Sequence, residues 1–141
     1  GFAFDEVARF GARDVARLVQ DAGIIRNRAK ILAAITNAQR VLEVRREFGT
    51  FARYMWAQIG GAPIVHAFRG LKDYPAYTDE AVAWAKDLKR RGFAFMGPTV
   101  VYAHMQAVGM VNDHTTDCFR YRQLLTPRPA RTPGRARSAR T

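Results

Sequence analysis

Apolar residues recur along much of this chain at the spacing of amphipathic α-helices. After Asn27, a residue type that caps helix N-termini, Ile31, Ile35, Ala38 and Leu42 recur at i, i+4, i+7 and i+11 and would share one helix face. No run of alternating apolar and polar residues is long enough to indicate a strand. The pattern therefore predicts an all-α fold.

Capping residues, glycines and prolines mark the ends of the other predicted helices. The predicted helices span residues 5–10, 14–20, 27–48, 50–59, 78–91, 98–108 and 112–118. Residues 60–77 contain Gly, Pro and aromatic residues without a period, which predicts a packed loop. From Thr126 onward Pro, Arg, Thr and Gly leave little to bury, which predicts disorder.

A tight hairpin is predicted between the helices over residues 78–91 and 98–108. Gly92 and Gly97 bracket a short apolar loop, and Pro98 stands where the second helix would begin. The N-terminus of that helix offers unpaired N–H groups and a positive dipole end, which together can bind a phosphate. The residues alone favour the simpler alternative, an ordinary connection between two helices.

His114 and Cys118 lie at i and i+4, a spacing that would place imidazole and thiol on one helix face as half of a tetrahedral metal site. Two unrelated side chains are the commoner explanation of such a pair. Cys118 is the only cysteine, so no disulfide can form within the chain. The other ligands would have to be His66 or His104 with a carboxylate, or residues outside this sequence.

The formal net charge is +11, and the C-terminal segment supplies most of it. Seven arginines and no acidic residue follow Cys118, which leaves +4 for residues 1–118. Both parts favour contact with polyanionic DNA or RNA, although solvated basic tails are also common. The single thiol predicts a reducing cytoplasm, and no apolar run approaches the roughly 20 residues of a membrane span.

Two blocks of sequence carry a family resemblance. The first covers residues 18–31 (LVQDAGIIRNRAKI), and the second lies within residues 91–118 and includes MQA at 105–107 and VNDH at 111–114. Both blocks resemble the constitutive bacterial DNA-3-methyladenine glycosylases of the helix-hairpin-helix glycosylase superfamily. The resemblance covers roughly residues 2–119, and it favours the functional interpretation of both the hairpin and the histidine–cysteine pair.

The resemblance implies a monomeric hydrolase of base-excision repair that releases 3-methyladenine from double-stranded alkylated DNA. It implies a helical glycosylase domain over residues 1–119, with the helix-hairpin-helix at 79–109, and a disordered basic tail over 120–141. It also implies that roughly fifty residues precede this chain, with two further zinc ligands, the base-recognising carboxylate and the stacking aromatics. A catalytically incompetent DNA-binding helix-hairpin-helix fragment is therefore the alternative.

The resemblance assigns site residues in this chain as well. His114 and Cys118 match two ligands of the family's structural zinc, and we expect weak or no zinc binding by this chain alone. The predicted DNA contacts surround the hairpin: Arg91, Gly92, Phe93, Phe95, Gly97 and Thr99. The alternative for Arg91 is a basic residue that only complements the dipole at a helix C-terminus.

Asp113 lies about where many helix-hairpin-helix glycosylases place a catalytic aspartate. This subfamily is thought to lack that role, so we predict that Asn112 and Asp113 cap the last short helix. His66 and His104 are predicted to be structural or exposed. Phe93, Phe95 and Tyr102 are predicted to pack in the core and the hairpin.

Overall fold

The computed structural model describes residues 2–125 and is mostly helical. The helices are α1 (Phe4–Val7), α2 (Ala12–Gln20), α3 (Arg28–Phe48), α4 (Phe51–Ala57), α5 (Asp79–Arg90), α6 (Pro98–Ala107) and α7 (Phe119–Leu125). The predicted all-α fold is confirmed. Within residues 2–125, no helix is both long enough and apolar enough to cross a membrane.

The one departure from an all-helical chain in the described residues is a very short parallel sheet. Strand β1 (Ile64–Val65) pairs with β2 (Val111–Asn112), and a 3-10 turn covers Leu71–Asp73. The segment 60–77, predicted as a loop, therefore contains a strand and a helical turn. Two-residue strands are too short to show alternation, so the sequence pattern could not reveal them.

Side-chain caps fix the starts of the longer helices where the sequence predicted them. The N–H of Lys30 donates to Asn27 Oδ1 at 3.1 Å, and the N–H of Arg53 donates to Thr50 Oγ1 at 3.0 Å. Helix α2 instead begins before Asp14, whose carboxylate accepts from the N–H of Gly11 at 3.1 Å. Asp14 therefore lies in the first turn of α2, which begins two residues before the helix predicted over residues 14–20.

The C-terminal boundary also differs from the prediction. Helix α7 includes residues 120–125, which were predicted to belong to a disordered tail. The basic tail predicted from Thr126 onward lies outside the described residues.

Helix α3 takes part in both hydrophobic clusters of the fold. Its first half buries Ile31 and Ile35 in a small cluster with α1 and α2, and its second half buries Val44 in the main core with α4, α5 and α6. Leu42, predicted to continue the buried stripe, is only half-buried. The buried face of α3 shifts along its length because the helix packs against different neighbours at its two ends.

A buried tyrosine links α4 to α5 in the main core. The hydroxyl of Tyr54 donates to Asp87 Oδ2 at 2.7 Å and accepts from the indole N–H of Trp84 at 3.2 Å. Burial and the hydrogen bond to Asp87 raise the pKa of Tyr54. Although burial acts to raise the pKa of Asp87, hydrogen bonds from Tyr54 and Arg91 lower it below the ordinary value of 3.8. The carboxylate therefore stays ionised inside a satisfied network.

We predict that Tyr54→Phe lowers the free energy of unfolding by about 1–3 kcal/mol, because the variant leaves the buried indole N–H of Trp84 without a partner and removes one of the two hydrogen bonds to Asp87 Oδ2. Urea denaturation at neutral pH measures this change. Tyr77→Phe, which removes the hydroxyl of a half-exposed tyrosine, is the matched control. The stabilising effect of ionised Asp87 is present above pH 3.8 and is lost as the pH falls through its lower folded pKa. The difference in unfolding free energy between the parent and Tyr54→Phe should therefore shrink in acid to the part due to the Trp84 indole.

Candidate nucleic-acid interface

The turn after α5 is formed by a glycine and anchored by a buried phenylalanine. Gly92 has a left-handed φ of +84°, where a side chain would be strained. The next residue, Phe93, donates its N–H to the carbonyl of Leu88 at 2.9 Å and is only 8% exposed. The side chain of Phe93 therefore packs in the core, as one of the two predictions for it stated.

The apex of the hairpin is an exposed phenylalanine in an unusual backbone conformation. Phe95 has φ of +59° and is 59% exposed. Left-handed backbone is disfavoured for a residue with a bulky side chain, and such residues concentrate at functional sites. Phe95 thus lies at the surface, in contrast to the core packing that was its alternative.

The hairpin and the start of α6 present a run of unpaired backbone N–H groups. Within residues 2–125, the N–H groups of Phe95, Met96, Gly97, Thr99 and Val100 form no hydrogen bond. The N-cap residue of α6, Gly97, has no side chain to cap it, and the proline at the first position has no N–H to offer. Unpaired amides at a helix N-terminus are suited to bind an anion.

Basic side chains border this run of amides. A groove of about 510 Å³ lies between α5 and the hairpin, and its lining includes Lys86, Lys89, Phe95 and Met96. Both lysines are exposed, and neither forms a salt bridge with another described residue. The groove therefore combines cationic side chains, an exposed ring and free backbone donors.

Arg91 has partners within the protein. Its Nε donates to Asp87 Oδ2 at 2.9 Å, and its two terminal nitrogens donate to the carboxylate of Glu47 at 2.7 and 3.2 Å. The guanidinium also lies 5.1 Å from the ring centroids of both Phe48 and Tyr54. Arg91 thus ties α5 to α3 and α4, and its contact with DNA stays a prediction.

A second tie reaches the hairpin from α3. The side-chain amide of Asn37 donates to the carbonyl of Ala94 at 3.0 Å, and the N–H of Ala94 donates to Asn37 Oδ1 at 2.8 Å. No local pattern indicates this contact, because an asparagine inside a predicted helix is an ordinary polar position.

His114 and Cys118 are brought together, but by a turn and not by the predicted helix. Strand β2 ends before His114, a turn covers residues 116–117, and α7 begins only at Phe119. Cys118 Sγ lies 3.6 Å from His114 Nδ1. Two ligands at tetrahedral zinc, with bonds of ~2.3 Å to sulfur and ~2.0–2.1 Å to nitrogen, are about 3.6 Å apart. The pair therefore has the separation that the metal requires.

The other histidines do not join this pair. His66 contacts Asp113, and His104 lies half-buried beside Trp84 with ring centroids 5.8 Å apart. Burial lowers the pKa of His104. Across residues 2–125, no group of three or more His, Cys, Asp or Glu side chains is placed to hold a metal ion.

Asp113 is the centre of a buried polar cluster and does not cap a helix, contrary to the prediction. Its carboxylate accepts from Tyr102 Oη at 2.5 Å and Gln106 Nε2 at 2.8 Å, and lies 2.6 Å from His66 Nδ1. The hydroxyl of Tyr74 donates to its backbone carbonyl at 2.5 Å. Burial, followed by the bond to Asp113, raises the pKa of Tyr102. No local pattern indicated this cluster, because His66 and Tyr74 lie 47 and 39 residues before Asp113 in the sequence.

An all-α chain with a hairpin of free amides between two packed helices is a candidate nucleic-acid-binding protein. Comparison with known proteins identifies it further. Residues 1–121 match the model of the methyladenine glycosylase family, and the chain belongs to this family.

Individual relatives agree with this assignment. DNA-3-methyladenine glycosylase 1 of Escherichia coli (strain K12) is 43% identical over 116 residues, which are 82% of this chain and 62% of that protein. The DNA-3-methyladenine glycosylase of Haemophilus influenzae is 37% identical over 113 residues, which are 80% of this chain and 61% of that protein. The chain therefore spans about three-fifths of the length of these relatives.

Solved structures show the same likeness. A crystal structure of 3-methyladenine DNA glycosylase I is similar with a TM-score of 0.79 and 42% identity, over 83% of this chain and 64% of that one. The structure of the Staphylococcus aureus enzyme is similar with a TM-score of 0.79 and 31% identity, over 82% of this chain and 62% of that one.

We predict that Asp113→Ala lowers the free energy of unfolding by about 2–4 kcal/mol, because three side-chain partners lose a buried, charged acceptor. Urea denaturation measures the effect. Asp117→Ala is the matched control, since Asp117 is an exposed carboxylate nearby that accepts no hydrogen bond from residues 2–125. It should stay within about 0.5 kcal/mol of the parent. Equal losses in the two variants would contradict the assignment of Asp113 as the centre of the cluster.

Proposed function

We propose that this chain serves base-excision repair by releasing 3-methyladenine from alkylated, double-stranded DNA. The observation that carries the proposal is the run of unpaired amides from Phe95 to Val100, in a chain of the methyladenine glycosylase family. One similar structure, at 31% identity, is of a 3-methyladenine DNA glycosylase I variant in complex with 3-methyladenine. The ligand of that relative supports the same substrate for this chain.

The hairpin would hold the DNA backbone in this reaction. The free amides between Phe95 and Val100 would donate to the oxygens of one phosphate, and Lys86 and Lys89 would add positive charge beside it. Such contacts do not read sequence, which suits an enzyme that must search all DNA for damage. They also fix the duplex while a nucleotide rotates out of the stack, a step that costs a few kcal/mol.

The chemical step is a hydrolysis. The bond between C1′ and the damaged base breaks, the base keeps the bonding electrons, and water adds to C1′ with loss of a proton. Because the 3-methylated base is cationic before the bond breaks, it leaves as a neutral molecule and needs little further activation. The protein has to hold the rotated base and stabilise the positive charge that develops on the sugar. No residue of this chain is assigned to that role.

We predict that the chain releases free 3-methyladenine from methylated duplex DNA, measured by chromatography of the released bases, and that unmethylated DNA yields none. Binding of the duplex without release would support the second candidate function, a DNA-binding module without chemistry. That candidate needs only the free amides of the hairpin and no residue for the bond cleavage. Absence of both release and salt-dependent binding would contradict both candidates.

We also propose that His114 and Cys118 are two ligands of a structural zinc ion. Their 3.6 Å separation and their nitrogen and sulfur donors fit such a site. The metal would link the end of β2 to the start of α7 and take no part in the bond cleavage. Because these residues supply only half of a tetrahedral set, we expect weak binding by this chain.

We predict that titration with Co²⁺, as a spectroscopic substitute for Zn²⁺, gives a weak thiolate-to-metal absorption band from the chain. Cys118→Ser should abolish the band and His114→Ala should weaken it, because each variant removes one of the two donors. A band of unchanged intensity in both variants would exclude this pair as the site. Thr115→Ala is the control, because Thr115 is a neighbouring residue whose side chain has neither an imidazole nor a thiol.

We also propose that the protein acts as a monomer in the cytoplasm. A lone thiol at Cys118 is compatible with a reducing compartment. The hairpin of one chain carries all the free amides proposed to bind a phosphate, so a second copy of the chain is not needed for this contact. Size-exclusion chromatography with light scattering tests the oligomeric state.

A further inference from the structure

The contact between Asn37 and Ala94 has a feature that ordinary core contacts lack. One side-chain amide satisfies both backbone groups of one loop residue, at 2.8 and 3.0 Å, across 57 residues of sequence. Within the described part of the chain, these backbone groups form no other hydrogen bond. The loop therefore receives at Ala94 the kind of pairing that a neighbouring strand would give it.

This pairing lies directly before the strained residue of the hairpin. Phe95 adopts φ of +59°, a left-handed conformation that is disfavoured for a residue with a side chain. A strained residue keeps its conformation only where its surroundings fix it. The ring of Phe95 is 59% exposed and cannot supply that constraint by burial. The constraint therefore comes from the flanking residues: Phe93 and Met96 pack against the main core, and the side chain of Asn37 binds the backbone of Ala94.

The base of this clamp is rigid. Asn37 lies in the middle of α3, between the residues that enter the small cluster and those that enter the main core. One turn further along α3, the side chain of Arg40 approaches Gly92, where an added Cβ would lie 3.4 Å from Arg40 Cδ. Helix α3 thus supports the hairpin at two points on one face.

We propose that Asn37 is a positioning residue for phosphate binding: its carboxamide holds the hairpin in the conformation that leaves the N–H groups of Phe95, Met96 and Gly97 unpaired for a DNA phosphate. This inference rests on the proposed DNA-binding function. A merely structural asparagine would contribute to stability alone, whereas a positioning residue controls affinity in a protein that is still folded.

The first experiment compares Asn37→Ala with Gln39→Ala in binding to a fluorescently labelled duplex. Gln39 is a matched control, since it lies on the same helix and its amide also donates to a backbone carbonyl, that of Ala8, at 3.1 Å. At a temperature where circular dichroism shows both variants folded, Asn37→Ala should weaken binding about tenfold and Gln39→Ala less than about twofold. Equal affinities for the two variants would overturn the proposal.

A double-mutant cycle tests the conformational cause. Glycine tolerates left-handed backbone without strain, so in a Phe95→Gly background the hairpin should keep its conformation with less help from Asn37. The loss of affinity caused by Asn37→Ala should therefore fall from about tenfold to about threefold or less. The same loss in both backgrounds would contradict a conformational role.

A separate measurement distinguishes failure of this inference from failure of the proposed function. If the unmodified chain binds no DNA, the proposed function fails. The three-bond HN–Hα coupling of Phe95 and the amide hydrogen exchange of Ala94 still report on the clamp. Asn37→Ala should change the coupling and accelerate the exchange, and unchanged values would overturn the positioning role whatever the DNA result.

Discussion

A loop that binds phosphate through its backbone must leave its N–H groups unpaired and yet stay in one conformation. The residues after Ala94 therefore cannot be fixed by regular secondary structure, which would consume those donors. In this chain the loop is fixed from outside, by the Phe93 side chain in the core and by the Asn37 amide from α3. Because its neighbours hold the loop, its own N–H groups can stay unpaired without loss of a defined conformation.

The basic residues near the hairpin also divide into one that supports the loop and two that remain available to a ligand. Arg91 combines a bidentate pair with Glu47, a bond to Asp87 and stacking on two aromatic rings, a set of contacts that a lysine ammonium could not reproduce. Lys86 and Lys89 instead remain exposed at the groove. Of these three residues Arg91 was the one singled out from the sequence, and only packing separates this structural cation from the two available lysines.

Much of the fold could be predicted from local signals, because Asn27, Thr50 and Thr78 cap their helices as their residue types indicate. The arrangement of His114 and Cys118 was predicted for the wrong reason, since a turn and not a helix brings them together. The strand pair and the cluster around Asp113 could not be predicted. Both depend on contacts between segments far apart in the sequence, and local periodicity carries no information about such contacts.

The cluster around Asp113 also bears on the metal pair. Parallel pairing of β1 with β2 places His66 beside Asp113, and the buried carboxylate fixes the backbone one residue before His114. The N–H of Thr116 donates to the carbonyl of Phe68 at 2.8 Å, which holds the following turn against the segment after β1. These contacts need no metal, and they hold the backbone on both sides of His114. Ligands on a backbone held in advance lose less conformational entropy on binding, which supports the proposed zinc site.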